Sequence, residues 1–525
     1  MALTEGFKKF LRIGIIFAVL VGGYIYANKT GLLRKLAPAG DQAQNISPDV
    51  FKTGGGDASS TTPGRLTRPM RVGINAWCGF AGGPYHNHGF KANADSDFAK
   101  SSGLQVEFVH NDNFEAGKQA WQAGQLDAWY CTVDSFPVDA GGIAKDEPVI
   151  IMQTDWSRGG DAIVVTHDID TVADLKNKDI ACAIGSPSHT LLLWMLSANN
   201  MNSNDINIIK TADGVDSANI FKAKDKVQAA VVWAPDDQDC LDHVPGSKVL
   251  ISSKQASHII ADAIYVKRSF LDAHPDDVKA LVEGWLKGNG DINSSDVARN
   301  KAAQILADGF GSDKDYCYKG IGNARLCTYG DNLNFFGIDK AFKGITGQTL
   351  YEQMAGVYQK LRLADDKLPP WRDVVDTSSL KAIQMDRKAD MAEGQTHFAK
   401  LDSESSSQLT TIATKHITIT FNSGSSELDE NAKYIIQDKF GDLAQGFADS
   451  RVRVEGNTDN VGGDGVNKPL SLRRAQAVAD FIAQKYGFDR NRFIVVGNGS
   501  TKPVADNSTD DGRSQNRRTD FELVK

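Results

Sequence analysis

The residues best placed to act together stand near the C-terminus, where Asn457 to Ala475 reads NTDNVGGDGVNKPLSLRRA. Asp459 sits in a loop with Gly462, Gly463 and Gly465, which let the chain turn sharply and expose its amides. Arg474 follows in what reads as the first turn of a helix, and Ser471 is positioned to cap it. A carboxylate and a guanidinium near exposed amides suit a zwitterion, with its ammonium on Asp459 and its carboxylate on Arg474. The same spacing also suits a plain ion pair that closes a loop. No nucleophile or metal-ligand set stands beside them, so the chemistry is recognition, and no metal or cofactor is expected.

A second group is spread over the middle of the chain, in loops that follow or precede apolar runs: AWCGFAGGPYHNHGF, CTVDSF, TDWSRGGD, GSPSHTLLLWML and APDDQD. In open α/β sheets, ligands bind beyond the carboxyl ends of strands, where such loops lie. In GSPSHT a strand ends, Gly185 turns the chain and an apolar helix begins near Thr190. The amides and hydroxyls of Ser186, Ser188, His189 and Thr190 would then face an anionic group; ordinary capping by Ser or Thr is the alternative. Trp77, Trp129, Trp156 and Trp233 fall in or beside these loops, with Asp134, Asp155, Asp161, Asp236 and Arg158. Aromatic walls suit an organic ligand, or a quaternary ammonium held by cation–π attraction. Trp129 reads as core. The candidate solute set is Trp77, Asp134, Trp156, Arg158, Ser186, Ser188, His189, Thr190, Trp233 and Asp236.

The elements that must position these residues are legible. MRVGIN opens a series of strand-like runs separated by helical stretches: LQVEFV, LDAWYC, PVIIMQ, AIVVT, DIACAI, INIIK, QAAVVW, KVLIS and ADAIYV. That alternation predicts largely parallel sheet covered by helices. From Asp272 onward the pattern turns helical, as in VKALVEGWL. LDSESSSQ reads as a linker. HITITF, RVRVEG, RFIVVGNG and RTDFELV then give strands, with helices over Asp429 to Phe447 and Leu470 to Tyr486.

The chain has 525 residues, six cysteines and a net charge of -8 with both signs interspersed. The length implies more than one domain, and the charge argues against a nucleic-acid partner. Cys317 and Cys327 flank CYKGIGNARLC and are the best candidates for a local disulfide in an oxidising compartment; the other four cysteines read as core. Ile13 to Ala27 is uncharged and apolar, with Arg12 and Lys29 placed to snorkel, so residues 13–28 are read as an uncleaved transmembrane helix. Residues 29–69 read as a flexible linker, rich in Gly, Ser, Thr and Pro from Ala37 on.

Residues 412–525 resemble the OmpA-like, peptidoglycan-associated domain. The matching pieces are FNSGSSEL, VEGNTDNVG, NKPLSLRRAQAV, GNGSTKPVADN and GRSQNRRTDFEL, in order and at the family's spacing. Asn457 stands where that family often has His. The resemblance implies that Asp459 and Arg474 hold the diaminopimelate residue of the wall's stem peptide, supported by Asn460, Asn467, Leu470 and Arg518. It also implies that residues 1–12 are cytoplasmic, that the span lies in the inner membrane and that the rest of the chain is periplasmic.

Residues 70–401 resemble type II periplasmic solute-binding proteins of the nitrate, sulfonate and taurine group, through MRVGINAW, AWQAGQLDAWYCTVDSF, GGDAIVV, VADLKNKDIACAIGSPSHTLLLWML and VQAAVVWAPDDQDCL. The implied fold is two α/β lobes joined by crossover strands, with Arg158 to Asp161 near a crossover and a helical C-terminal extension. That group includes a synthase that needs an active-site His and a dense cysteine cluster. His86 and His88 are followed by no such cluster, so they read as loop histidines and no enzyme is expected. The expected architecture is a transmembrane helix, a two-lobed α/β domain, a linker over residues 402–411 and a small α/β domain. The expected role is capture of a small anionic or zwitterionic organic solute, for an ABC transporter permease or a sensor, by a protein fixed to peptidoglycan. The alternative is a structural tether that uses the binding-protein fold as a spacer.

Overall fold

The structure is a computed structural model and describes residues 63–525 apart from 224–226, 420 and 423. The span expected over residues 13–28 lies outside the described residues. Among the described residues no helix is long and apolar enough to cross a membrane.

The chain first builds β1 (Met70–Ile74), β2 (Val106–His110), β3 (Ala128–Thr132) and β4 (Pro148–Ser157). Residues 158–160 then carry it into a second sheet of β5 (Asp161–Val165), β6 (Asp179–Ala183), β7 (Asn207–Thr211), β8 (Ala229–Trp233) and β9 (Lys248–Ser252). A second passage over residues 253–260 returns it through β10 (Ala261–Lys267) and later β11 (Ala324–Leu326). The first lobe's sheet runs β11-β4-β10-β3-β1-β2 and the second lobe's runs β7-β6-β8-β5-β9. In each sheet the strands next to the passages, β4 and β10 in one and β5 in the other, pair antiparallel with their neighbours. Two lobes joined by two crossovers are therefore built into the topology. Every residue of β3, β4 and β5 is buried, as strands covered on both faces require.

The helix Pro275–Ser294 returns to the first lobe and buries Val278, Leu281, Val282, Trp285 and Leu286, which recur at three and four spacing. The expected Cys317–Cys327 disulfide is not formed; both residues are free thiols. The short strand β11, unseen in the sequence pattern, lies between them. It carries Cys327 to β4, where its N–H donates to Thr154 O at 2.8 Å. Cys317 stays on the helix Lys314–Gly322 and shares a buried cluster with Cys78. His86 is also not a loop histidine: it is buried, and its ring meets Phe98 edge-on at 4.7 Å.

The C-terminal sheet comprises β12 (Thr411–Ile417), β13 (Arg451–Asn457), β14 (Phe493–Gly499) and β15 (Thr519–Val524), in the order β12-β15-β13-β14. The stretch read as a linker carries a short helix, Ser403–Gln408, capped by Asp402. The N–H groups of Thr414 and His416 on edge strand β12 donate to the side chains of Asn199 and Asn200 in the second lobe, at 3.0 and 2.7 Å. Asn200 also donates to His416 O, so this edge is covered rather than left open.

Candidate functional site

Two sites emerge. The first is the loop after β13. Asp459 is buried; its Oδ1 accepts the Val461 N–H at 3.0 Å and its Oδ2 accepts from Arg517 at 2.6 Å. Asn467 donates to Gly462 O and Asp459 O, which pins the loop. Gly462 adopts φ 89°, a conformation that disfavours other residues.

The helix expected from Leu470 begins earlier, at Asp464, and runs to Tyr486. Pro469 lies inside the helix. Ser471 is buried there, donating to Lys468 O and accepting from Gly499 N–H, so it is not a cap. Arg474 is consequently in mid-helix rather than in the first turn. Its Nε donates to Ser425 O at 2.9 Å and its guanidinium lies 4.8 Å from the centre of the Phe421 ring. Burial pulls its pKa down, opposed by Asp459. Asp459 and Arg474 are thus close enough to sense each other, but Asp459 takes its ion pair from Arg517.

Leu470 is buried beside this loop and Asn460 is exposed. Arg518 points its charge elsewhere, into a buried pair with Asp520 at 2.9 Å, and donates to Lys502 O. Arg517 and Phe421 were not anticipated. The doubled arginine in NRRTD was the available signal, and strand pairing decides which of the two reaches the loop.

The second site is at the crossovers. Four carboxylates converge there: Asp134 just after β3, Asp155 near the end of β4, Asp161 at the start of β5 and Asp262 at the start of β10. All are at most 5% exposed. Trp77 Nε1 donates to Asp155 Oδ1 at 3.0 Å and Thr154 to its Oδ2 at 3.1 Å. Ser157 donates to Asp161 at 3.1 Å and Ser188 at 3.4 Å, and the Trp233 indole N–H also serves this carboxylate. Asp134 Oδ1 accepts the Ala261 N–H at 3.3 Å. Asp155 and Asp262 are partners across the β4–β10 ladder, and their carboxyls face each other. Ser253 ties the two crossovers together, accepting from Gly159 and Asp161 N–H and bonding the Ser157 hydroxyl.

Burial drives all four acids upward, Asp134 and Asp161 to about 7. No basic side chain figures among the groups acting on them in the described structure. Arg158, expected to supply a cation, turns away: it forms two bonds to Glu393 at 2.9 and 2.7 Å and contacts His258 and Asp449. An anion entering this cluster would therefore meet no basic side chain among the described residues. The hydroxyls expected to cradle an anion are engaged too. Ser186 donates to Ala183 O, Ser188 serves Asp161, and Thr190 pairs with Tyr358 at 2.9 Å beside Asp134. His189, its pKa lowered to about 4 by burial, sits against Tyr358.

Of the expected set, Trp77, Asp134, Ser188, Thr190 and Trp233 gather at the cluster with Asp155, Asp161 and Asp262. Trp156 packs between His258 and Phe335 instead. Asp236 lies at the start of the helix Asp236–His243, its pKa raised to about 6 by burial. Trp129 is core, as read from the sequence. Asp262 was overlooked; an acid opening the otherwise apolar strand ADAIYV was its signal.

Comparison with known proteins places names beside these two sites. Residues 420–517 match the OmpA family and residues 83–307 the NMT1-like family. Outer membrane porin F from Pseudomonas aeruginosa is 39% identical over 105 residues, which is 20% of this chain and 30% of that protein. The peptidoglycan-binding protein ArfA from Mycobacterium tuberculosis is 40% identical over 90 residues, 17% of this chain and 27% of that one. The chain spans less than a third of the length of these curated relatives. Among solved structures, the periplasmic aliphatic sulphonate binding protein SsuA from Escherichia coli is similar with a TM-score of 0.46 and 18% identity, covering 59% of this chain and 98% of that one. The desulfurization enzyme DSZB is similar with a TM-score of 0.42 and 13% identity, over 60% of this chain and 98% of that one.

Proposed function

We propose that this chain, which carries an NMT1-like binding-protein domain followed by an OmpA-family domain, is a periplasmic solute receptor fixed to the cell wall. The observation that carries the reading is the pairing of two recognition sites in one polypeptide. One is a buried, hydrogen-bonded cluster at the crossovers of a two-lobed fold. The other is a loop whose acid and base are held apart. In this reading the C-terminal domain binds peptidoglycan, with Asp459 taking the ammonium and Arg474 the carboxylate of a diaminopimelate stem peptide. Asn467 and Leu470 shape the loop, and Arg517 holds Asp459 until the ligand's ammonium competes for it.

The two-lobed domain closes on a small charged organic solute by hinge motion about residues 158–160 and 253–260. It passes that solute to an ABC transporter permease or reports it to a sensor. In this reading the domain binds its solute and does not catalyse. Residues 13–28 anchor the chain in the inner membrane with residues 1–12 in the cytoplasm, as their apolar composition supports.

A second reading, a structural tether, draws support from the contacts that the C-terminal domain makes with the second lobe through Asn199 and Asn200 and, through Asp449, with Arg158. Mass spectrometry of small molecules released from the purified full-length chain separates the two. A receptor yields a bound solute or, on titration, a saturable one. A tether yields neither.

A further inference from the structure

We propose that the crossover carboxylates, with the indoles of Trp77 and Trp233, receive the ammonium group of a small organic cation. The proposal rests on the receptor reading above and names its class of solute. It starts from charge. Asp134, Asp155, Asp161 and Asp262 come from four separate strand ends and are buried together without a basic partner among the described residues. Buried carboxylates are ordinarily paired with a cation or held protonated. Asp134 Oδ2 is fully buried and has no hydrogen-bond partner in the structure, although Asp134 faces Asp161 and Asp262. The Thr190 hydroxyl serves the same carboxyl, so Oδ2 is the oxygen left to face a positive charge.

Size argues next. No group of three or more His, Cys, Asp or Glu residues among those described converges closely enough to hold a metal ion. We assign the balancing charge to a larger body. The aromatic residues fit that body. Trp77 comes from the first lobe and Trp233 from the second, and both are half-buried. Trp77 gives its N–H to Asp155, and its ring rests on Gly160, where a Cβ would come within 2.5 Å of it. Trp233 is the ladder partner of Asp161 and serves its carboxylate. Each indole donating to a carboxylate becomes more electron-rich, which strengthens its attraction for an alkylated ammonium. Indoles from opposite lobes would close on one cation, which couples its capture to lobe closure.

Isothermal titration calorimetry of the full-length chain tests this with three probes: choline, glycine betaine and propanesulfonate. Choline is expected to bind saturably, glycine betaine to bind through the same ammonium, and propanesulfonate to give no heat. Trp77→Ala and Trp233→Ala should each weaken choline by about tenfold, the scale of a desolvated cation–π contact. Trp77→Phe, which keeps a ring and is the more conservative for folding, should lose only about threefold. Propanesulfonate binding with choline silent would overturn the inference and leave the receptor reading standing. Choline binding unchanged in the tryptophan variants, verified as folded by circular dichroism, would also overturn it. Silence toward all three probes would overturn the inference, and the receptor reading would then be decided by the mass spectrometry of released solute.

Discussion

The wall loop and the crossover cluster solve recognition in opposite ways. In the loop, an acid and a base share one small surface but do not neutralise each other: Asp459 is held by Arg517 and Arg474 by the Ser425 carbonyl and the Phe421 ring. Such a site meets a zwitterion with matched charges and costs little to keep open, because its groups are already partnered. At the crossovers, four acids are buried with hydroxyls and indoles, and no basic side chain acts on them among the described residues, so the charge is balanced by protons or, in the reading proposed above, by the ligand. A balanced site is stable when empty, whereas an unbalanced one is under electrostatic tension until filled.

The largest effect should come from the loop. Replacing Asp459 and Arg474 together by Ala removes two charge-assisted contacts, each worth roughly 1.5–3 kcal/mol. Retention of the full-length chain on purified sacculi should fall roughly a hundredfold or more, with choline binding unchanged in calorimetry. Equal loss of both activities would show that the two regions are not independent.

The next effect concerns the junction between them. Burial pushes Asp449 up, but His258 where it is protonated, the Arg158 guanidinium and the Ser257 and Thr396 hydroxyls overcome it and bring the acid down to about 2. Burial lowers His258 itself to about 4, so near pH 7 Arg158 and the hydroxyls hold the acid. A depressed carboxylate contributes stability above its ordinary value near 4 and loses it as pH falls from there toward 2. Asp449→Asn should therefore destabilise the chain by about 1–2 kcal/mol at pH 7 in urea unfolding, and the difference should vanish near pH 2. Arg492 sets this acid in place. It is buried, donates to the Phe447 and Ser450 carbonyls and lies over Phe488, so it fixes the turn that presents Asp449.

The crossover cluster should show the reverse pH dependence. Asp134 titrates near 7 in the folded chain, so its cost is absent below about 4 and grows as pH rises through 7. Asp134→Asn should stabilise the unliganded chain by about 1 kcal/mol at pH 8 and leave it nearly unchanged at pH 4, read as shifts in the urea midpoint. A larger gain at pH 4 than at pH 8 would mean that the cluster carries no electrostatic tension. The smallest effect is expected at Arg517. Its side chain is 46% exposed, so Arg517→Ala should change stability by less than about 0.5 kcal/mol. Its consequence belongs to wall affinity, through the release of Asp459.

The two regions also differ in how much of them could be read from sequence. The wall site is nearly contiguous, with the Asp459 loop and Arg474 lying within one 19-residue segment, Asn457 to Ala475. Its residue types therefore announce it, and the difference is local: Ser471 imitates a helix cap, while the helix runs through it. Nine apolar runs after MRVGIN all became strands; β3, β4 and β5 are buried along their whole length, which favours apolar residues, whereas β7 has no buried residue. The crossover cluster is assembled from residues 134, 155, 161 and 262. Nothing local links Asp262 to Asp155; only the β4–β10 ladder does. Arg158 was misread for the same reason, since its partner Glu393 is 235 positions away. Three-residue β11 is too short to leave a pattern, and it carries Cys327 to β4, away from the helix that holds Cys317.

The most direct measurement puts both sites in one tube. Full-length chain is bound to purified sacculi, washed and titrated with radiolabelled choline. Stoichiometric choline should be retained on the wall-bound chain. Asp459→Ala with Arg474→Ala should release the chain from the wall, and Trp77→Ala with Trp233→Ala should release only the choline. Wall-bound wild-type chain that takes up no choline, or a doubly substituted loop that still holds the wall, would contradict the account of a tethered receptor.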